Sequence, residues 1–419
     1  MFVPSEIIVV RSVLEDPVTR RVLAGCPGVP VRIVESNCPA EITRASRILC
    51  QAKTLADRID AGKRVLALVS TPPAVELFEM PDPRVGCPHF LKLVLAGNGC
   101  PHRCAWCFLR ATYRGLAPYL AVHVPMDDVL HRLRRHLRRA RTPLILNIGE
   151  LQDGLALEHL TGGLQRLIPF FAESENGFLF CLTKCDTDEP ILGLPHRGHT
   201  ILAWSVNAHE VSAAFEIGAP SFDQRLQAAH RAQAAGYRIR LRLDPVVPVP
   251  HWQHLYADAI RRIFAEITPE LITIGTLRFE ETFYKNRRAL LGKGPTATHL
   301  LAEMEKMMPM LPPMMVPGGA RRKDGSPKAK LSTGKHSYRP SIRIEIFRFV
   351  ISEIRKHFDG PVALCKETID VWQAVGLDPR RCACVCQYEE ANLLRQIDAQ
   401  LPGAHMAHGT AVQPRTRSS

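Results

Sequence analysis

The sequence of 419 residues has no apolar run approaching the roughly 20 residues that a membrane-spanning helix requires, which argues against a helical membrane protein. It opens MFVPSEIIVVRSVLED and turns acidic too early for a secretory signal, so the expected location is the cytoplasm. Negative charge is short: 41 acidic residues stand against 54 lysines and arginines, a formal net charge of +13. That balance suits a polyanionic partner, but it reports general attraction and leaves fold and specificity open. Internal repeats are missing too, beyond a recurrent alternation of strand-like and helix-like segments. Nor do the 13 cysteines have the even count and short chain of a secreted disulfide scaffold. In a reducing compartment clustered cysteines point to metal or redox chemistry, and their spacing decides.

What is present is largely α/β pattern. Residues 1–85 read as a small α/β region. It has a strand at Ile7–Val10, a helix near Pro17–Leu23, a second strand in VPVRIVES, helical periodicity from Ile42 to Asp60, and a strand in RVLALVS. The proline-rich TPPAVELFEMPDPRVGCP reads as a linker. Within residues 86–310, six apolar runs follow: LKLVLAG, PLILNIGE, GFLFCLTK, TILAWSVN, YRIRLRLDP and ELITIGTL. Helical segments at Asp127–Arg139, Glu158–Phe171, Ser221–Ala235 and His254–Glu266 lie between most of them. Such alternation predicts parallel strands with helical crossovers, and six units fit a partial (β/α)6 barrel with its chemistry at the C-terminal strand ends. Residues 311–401 break the pattern with a long basic loop, an amphipathic helix (IRIEIFRFVISEIRKHF) and a cysteine cluster. The small, polar stretch 402–419 is expected to be disordered.

Directly after the first of the six strands, AGNGCPHRCAWCFLR carries Cys100, Cys104 and Cys107 in CxxxCxxC spacing. Three such thiolates can hold one side of a [4Fe–4S] cubane and leave one iron open. An open iron is what a chelating cosubstrate needs, and S-adenosylmethionine offers an amino and a carboxylate group. The spacing is that of a radical S-adenosylmethionine enzyme. A structural zinc site would need a fourth ligand, with Cys87, His102 or a distant residue as the choices. In RIRLRLDP, Arg238, Arg240 and Arg242 alternate with Ile239, Leu241 and Leu243. If the aliphatic face packs on helices, the guanidiniums turn inward, where they suit phosphate or carboxylate. Cys382, Cys384 and Cys386, with Cys365 upstream, are open to several readings: a zinc knot, a second cluster, a redox disulfide, a thiol donor or a structural element.

The segment GCPHRCAWCFLRATYRGLAPYLAVHVPMDDV resembles the cluster-binding segment of the spore photoproduct lyase family, radical enzymes that repair DNA. GFLFCLTKCD, ILAWSVNAHEV, APSFDQRLQAAHRAQAAGYRIRL and SEIRKHF extend the resemblance over residues 1–360, most weakly before 85. The resemblance implies that Lys184 meets the carboxylate of S-adenosylmethionine and that Ser205 and Asn207 bind its methionyl or ribose part. Arg242, from the inward-turned alternation, is a further cofactor-binding candidate. Glu150 of Gly149-Glu150 is a candidate for the cosubstrate's amino group, because many radical enzymes carry a Gly-Glu there, with a surface carboxylate in a turn as the alternative. The resemblance also implies a basic hairpin against DNA, with Arg321, Arg322, Lys323 and Lys335 as phosphate contacts, and an electron donor such as flavodoxin or ferredoxin.

Three positions depart from the family. Glu150 stands where it has a hydrogen-donating cysteine, and Trp106 and Phe108 where it has tyrosines. A carboxylate, an indole or a phenyl ring cannot replace a thiol or phenol as hydrogen-atom donor. The expectation is that Cys382, Cys384 or Cys386 reaches the site as donor or as ligand of a second cofactor. Two alternatives stay open: a sister radical enzyme acting on a small anionic metabolite or another substrate, and a non-catalytic, zinc-bearing nucleic-acid-binding protein.

Overall fold

The computed structural model describes residues 1–78, 80, 82–87, 90–112, 117–139, 143–312, 314–321, 327–332 and 335–379. Arg322, Lys323, Cys382, Cys384 and Cys386 lie outside the described residues. IIVV, after Glu6, and VLALV are unbroken apolar or β-branched runs, the pattern of strands covered on both faces. They form Glu6–Val10 and Val65–Val69, which pair in parallel with Ile7 opposite Leu66 in a five-stranded sheet. The periodic stretch from Ile42 to Asp60 is not one helix but parts of three, Pro39–Ala45, Arg47–Gln51 and Leu55–Gly62. Ser46 and Thr54 divide it, because each caps the next helix with its hydroxyl, and Thr54 closes a capping box with Asp57.

This first sheet does not end at residue 85. Val31–Val34 adds a third strand from within the expected region, and the remaining two, Ala96–Gly97 and Leu120–His123, come from beyond its boundary. The expected linker contains a strand, Ala74–Phe78, which runs antiparallel to the first barrel strand with Phe78 opposite Phe90.

The larger sheet carries the six expected parallel strands in chain order: β1 (Phe90–Val94), β2 (Leu144–Asn147), β3 (Gly177–Thr183), β4 (Thr200–Val206), β5 (Arg238–Val246) and β6 (Leu271–Thr276). A seventh, β7 (Val362–Leu364), pairs parallel to β6 with Thr273 opposite Ala363. The six expected strands are all present, and β7 adds one at the sheet edge that three residues are too few to announce by a period. The outer helices bury apolar stripes on the sheet. The helix Phe222–Ala234 is typical: Ser221 and Gln224 form its capping box, and Phe222, Leu226 and Ala229 enter the core. On β5 the alternation holds as read. Ile239, Leu241 and Leu243 join the core, while Arg238 and Arg240 pair with Glu270 and Arg242 with Asp244.

The basic stretch after residue 310 is a hairpin of Met314–Arg321 and Pro327–Ser332, with Met315 opposite Leu331. The strand that follows it, Lys335–Ser337, pairs with Arg278–Glu280 just past β6, so the hairpin is rooted beside the barrel mouth. No described helix is long and apolar enough to cross a membrane.

Candidate functional site

The C-terminal ends of the parallel strands open into one cavity of about 460 Å³. Cys100, Cys104 and Cys107 line it together. The loop that carries them leaves the first sheet at Asn98, whose φ of 53° is a left-handed value that Asn tolerates. The Asn98 side chain is fixed there: Nδ2 donates to the Pro118 carbonyl at 3.0 Å, and Oδ1 accepts from Lys63 Nζ at 2.7 Å. Further on, the Arg103 and Ala105 amides donate to the Ile217 and Phe215 carbonyls, both at 2.8 Å. Burial pushes the Cys100 thiol up, with Asp153 adding to it, and pushes Cys104 up to about 12. Thiols so placed ionise only when a cation takes up their charge, and iron in a cubane would do so. The donor set therefore fits a cluster.

Among the described residues, His102 groups with Cys100 and Asp153 and not with Cys104 or Cys107, so it does not complete a zinc set with the triad. Its Nδ1 lies 2.9 Å from the Gly218 carbonyl, and its Nε2 is 3.5 Å from Cys185 Sγ and 3.9 Å from Asp153 Oδ2. Asp153 could share an ion with Cys100 and His102, but its carboxylate is already engaged. It accepts from Thr183 Oγ1 at 2.6 Å and from the amides of Lys184 at 2.7 Å and Leu155 at 3.0 Å. Cys87, the other candidate fourth ligand, adjoins the Gly86–Glu367 pairing near Lys366 and is not among the described residues that line the cavity with the triad.

Lys184 follows β3 and lies in the cavity, as read from the sequence. Its ammonium donates to Ser205 Oγ and stands 3.2 Å from Glu216 Oε1. Glu216 is held in turn by Arg225 at 2.5 Å, and Arg225 also donates to the Ser205 carbonyl and to Ser212 Oγ. Burial pushes the Glu216 carboxyl up, but Lys184 and Arg225 outweigh it and keep the group ionised. Asn207 is placed differently from the expectation. β4 ends at Val206, so the alternation that would have put Asn207 beside Ser205 stops. Instead Asn207 is buried in the scaffold, donating to the Pro245 carbonyl at 2.8 Å and accepting from Tyr256 Oη at 2.7 Å.

The rest of the cavity is rich in cations. Arg242 and Arg278 each approach Asp244 at 2.8 Å and both donate to Cys365 Sγ, at 2.6 and 3.0 Å. Burial raises the Asp244 carboxyl, yet the two guanidiniums prevail and hold it far below the usual carboxylate range. Lys335, read in the sequence as a DNA contact, lines the cavity 3.0 Å from Glu280. Burial, and then the like charge of Lys366, hold its ammonium below the ordinary value. Glu150, Trp106 and Phe108 line the same space. Sequence reasoning missed Glu216, Arg278 and Lys366. Lys366 follows the strand too short to read, while Glu216 precedes the SFDQR stretch with no periodic signal. Arg321 ends a hairpin strand.

A family model described as "Spore photoproduct lyase" matches residues 91–306. A spore photoproduct lyase from Geobacillus sp. (strain Y412MC61) is 30% identical over 185 residues, 44% of this chain and 53% of that protein. One from Bacillus subtilis (strain 168) is 27% identical over 213 residues, 50% of this chain and 61% of that protein. The chain thus matches little more than half the length of these curated relatives. A solved spore photoproduct lyase complexed with dinucleoside spore photoproduct superposes with a TM-score of 0.65 at 21% identity, covering 87% of this chain and 98% of that one. A variant with bound AdoMet and dinucleoside spore photoproduct gives 0.67 at 22% identity and the same coverage. These structures share the fold. With the family model spanning more than half of its residues, this chain belongs to the spore photoproduct lyase family.

Proposed function

We propose that this protein is a radical S-adenosylmethionine enzyme acting on a DNA photoproduct of the spore photoproduct type. The observation that carries the reading is the meeting of three loop thiols with Lys184 and Ser205 in one cavity at the strand ends. When bound, a reduced [4Fe–4S] cluster supplies the electron that cleaves S-adenosylmethionine to methionine and a 5′-deoxyadenosyl radical. The chain's part is to hold and orient. Cys100, Cys104 and Cys107 bind three irons, and Lys184, fixed by Ser205 and Glu216, offers an ammonium to the cosubstrate's carboxylate. A one-electron donor of the flavodoxin or ferredoxin class is part of the proposal. The test is anaerobic incubation of the reduced holoprotein with S-adenosylmethionine and irradiated DNA. Loss of the spore photoproduct with thymine restored supports the reading, and intact photoproduct with active cosubstrate cleavage rejects DNA repair.

Lys184→Ala is expected to weaken S-adenosylmethionine binding by about 1.5–3 kcal/mol, roughly 10- to 150-fold in Kd, with iron content unchanged. Equilibrium dialysis measures it, and equal affinity would return Lys184 to a scaffold role. For the hairpin, replacing Arg321, Arg322 and Lys323 together by alanine is expected to lower duplex affinity. The slope of log K against log salt should flatten by roughly 0.9 for each phosphate that the chain no longer neutralises. An unchanged slope removes the hairpin from the DNA interface.

Glu150, Trp106 and Phe108 give the cavity wall no hydrogen-atom donor, so the proposal keeps Cys382, Cys384 and Cys386 in that role or as ligands of a second cofactor. Support comes from where the described chain ends. Pro379 packs so closely on Gly86 that a Cβ there would meet it at 2.7 Å, and Gly86 pairs with Glu367 next to Lys366. The cation-rich wall also favours a second reading, a sister enzyme for a small anionic metabolite. Cosubstrate cleavage stimulated by such an anion and not by irradiated DNA would select it.

A further inference from the structure

The cavity divides by charge. Among the ionised groups that act on the Cys100 and Cys104 thiols are Asp153, Lys184, Glu216 and Arg225, whereas those acting on Glu150 are Lys366, Arg242, Lys92 and Lys335. Most of the second wall is internally paired. Arg242 and Arg278 share Asp244, Lys335 meets Glu280, and Lys92 meets Glu76 at 2.9 Å. Two groups differ. The side chains of Glu150 and Lys366 line the cavity, and neither makes a hydrogen bond or direct ion pair with a described residue. Lys366 Nζ stands instead over the Phe78 ring, 4.7 Å from its centroid.

Both groups are nevertheless ionised. Burial raises the Glu150 carboxyl, but Lys366 and the other cations bring it below its ordinary value. Burial lowers Lys366, yet Glu150, ahead of the Cys87 and Cys365 thiols, leaves it well above its ordinary value. An acceptor-only carboxylate and a donor-only ammonium thus face one space, close enough to feel each other and too far apart to pair. A rigid ligand edge that satisfies both must offer an N–H beside an oxygen. A cyclic imide does so, because its N–H lies between two carbonyls, and thymine and uracil bases present this edge.

We propose that Glu150 and Lys366 read the imide edge of a pyrimidine base, Glu150 accepting its N–H and Lys366 donating to a neighbouring carbonyl. The proposal rests on the nucleic-acid reading above and names its recognition element. At the position where the family has a thiol, this chain has a group that binds.

The test is equilibrium dialysis of thymidine and N3-methylthymidine against anaerobic holoprotein, as wild type, Glu150→Ala and Lys366→Met. Wild type should prefer thymidine by roughly 10-fold or more, since methylation removes the N–H. Glu150→Ala should bind both nucleosides alike, and Lys366→Met should bind thymidine more weakly while keeping the preference. No preference in wild type, or no binding of either nucleoside, overturns the proposal without needing a variant to fold. An undiminished preference in Glu150→Ala also overturns it. Repair of irradiated DNA is scored separately. Turnover without thymidine preference refutes base reading alone, and thymidine preference without turnover refutes repair alone.

Discussion

Replacing Cys104 with alanine is expected to give colourless protein that releases no 5′-deoxyadenosine on reduction with S-adenosylmethionine. Cys104 is the middle thiol of the loop and only 6% exposed. Its position is pinned on one side by the Ala105 amide bond to Phe215 and on the other by the Cys107 amide donating to the Cys104 carbonyl at 3.2 Å. With it gone, two thiols remain for a cubane that needs three from the chain, and no described cysteine of the loop replaces it. Iron and sulfide per chain measure the effect, from about four irons toward none. Cys181→Ala is the control, because Cys181 is a fully buried core thiol on β3 and its loss should leave iron content intact. Full iron content in Cys104→Ala would remove the assignment of the cluster to this loop.

Glu216→Ala is expected to lower folding stability by about 3–5 kcal/mol, the range for breaking a buried ion pair from one side. Neither Glu216 nor Arg225 has exposed side-chain surface, so the variant leaves a buried guanidinium with neutral partners only, Ser212 Oγ and the Ser205 and Pro220 carbonyls. Lys184 loses its nearest carboxylate in the same step. Denaturant midpoints measure the stability, and S-adenosylmethionine affinity measures the Lys184 arm. The double variant Glu216→Met with Arg225→Met should recover part of the loss, since the fully buried guanidinium then no longer lacks its partner. A single variant as stable as wild type would contradict the pairing.

Long periodic elements were legible because they carry their own signal. β1 to β6 appear where apolar runs predicted them, and Asp127–Arg139 has the predicted bounds. The thiol triad and Lys184 were legible from spacing and from position after a strand. What stayed hidden depends on contacts distant in sequence. β7 gains its definition only from pairing with β6, and with it come Cys365 and Lys366. Glu216 is tied to the site only because Arg225 and Lys184 converge on it. Asn207 was misplaced because one residue past a strand end the two-residue alternation no longer applies. Lys335 belonged by composition to the basic stretch, but its strand pairs with Arg278–Glu280 and turns it to the cavity.

The bracing of the thiol loop bears on what can be inherited or transplanted together. Ala96–Gly97, the two residues before Asn98, are hydrogen-bonded into the N-terminal sheet through Leu120–His123, and Lys63 of that same region holds Asn98. The thiol loop is therefore not a portable module of the barrel. A chain beginning at residue 86 would retain all three thiols and every parallel strand of the larger sheet, yet it would lose the surface against which the loop is shaped. Cofactor retention should then fail before any ligand has been touched, so residues remote from iron are held under the same constraint as the cysteines themselves.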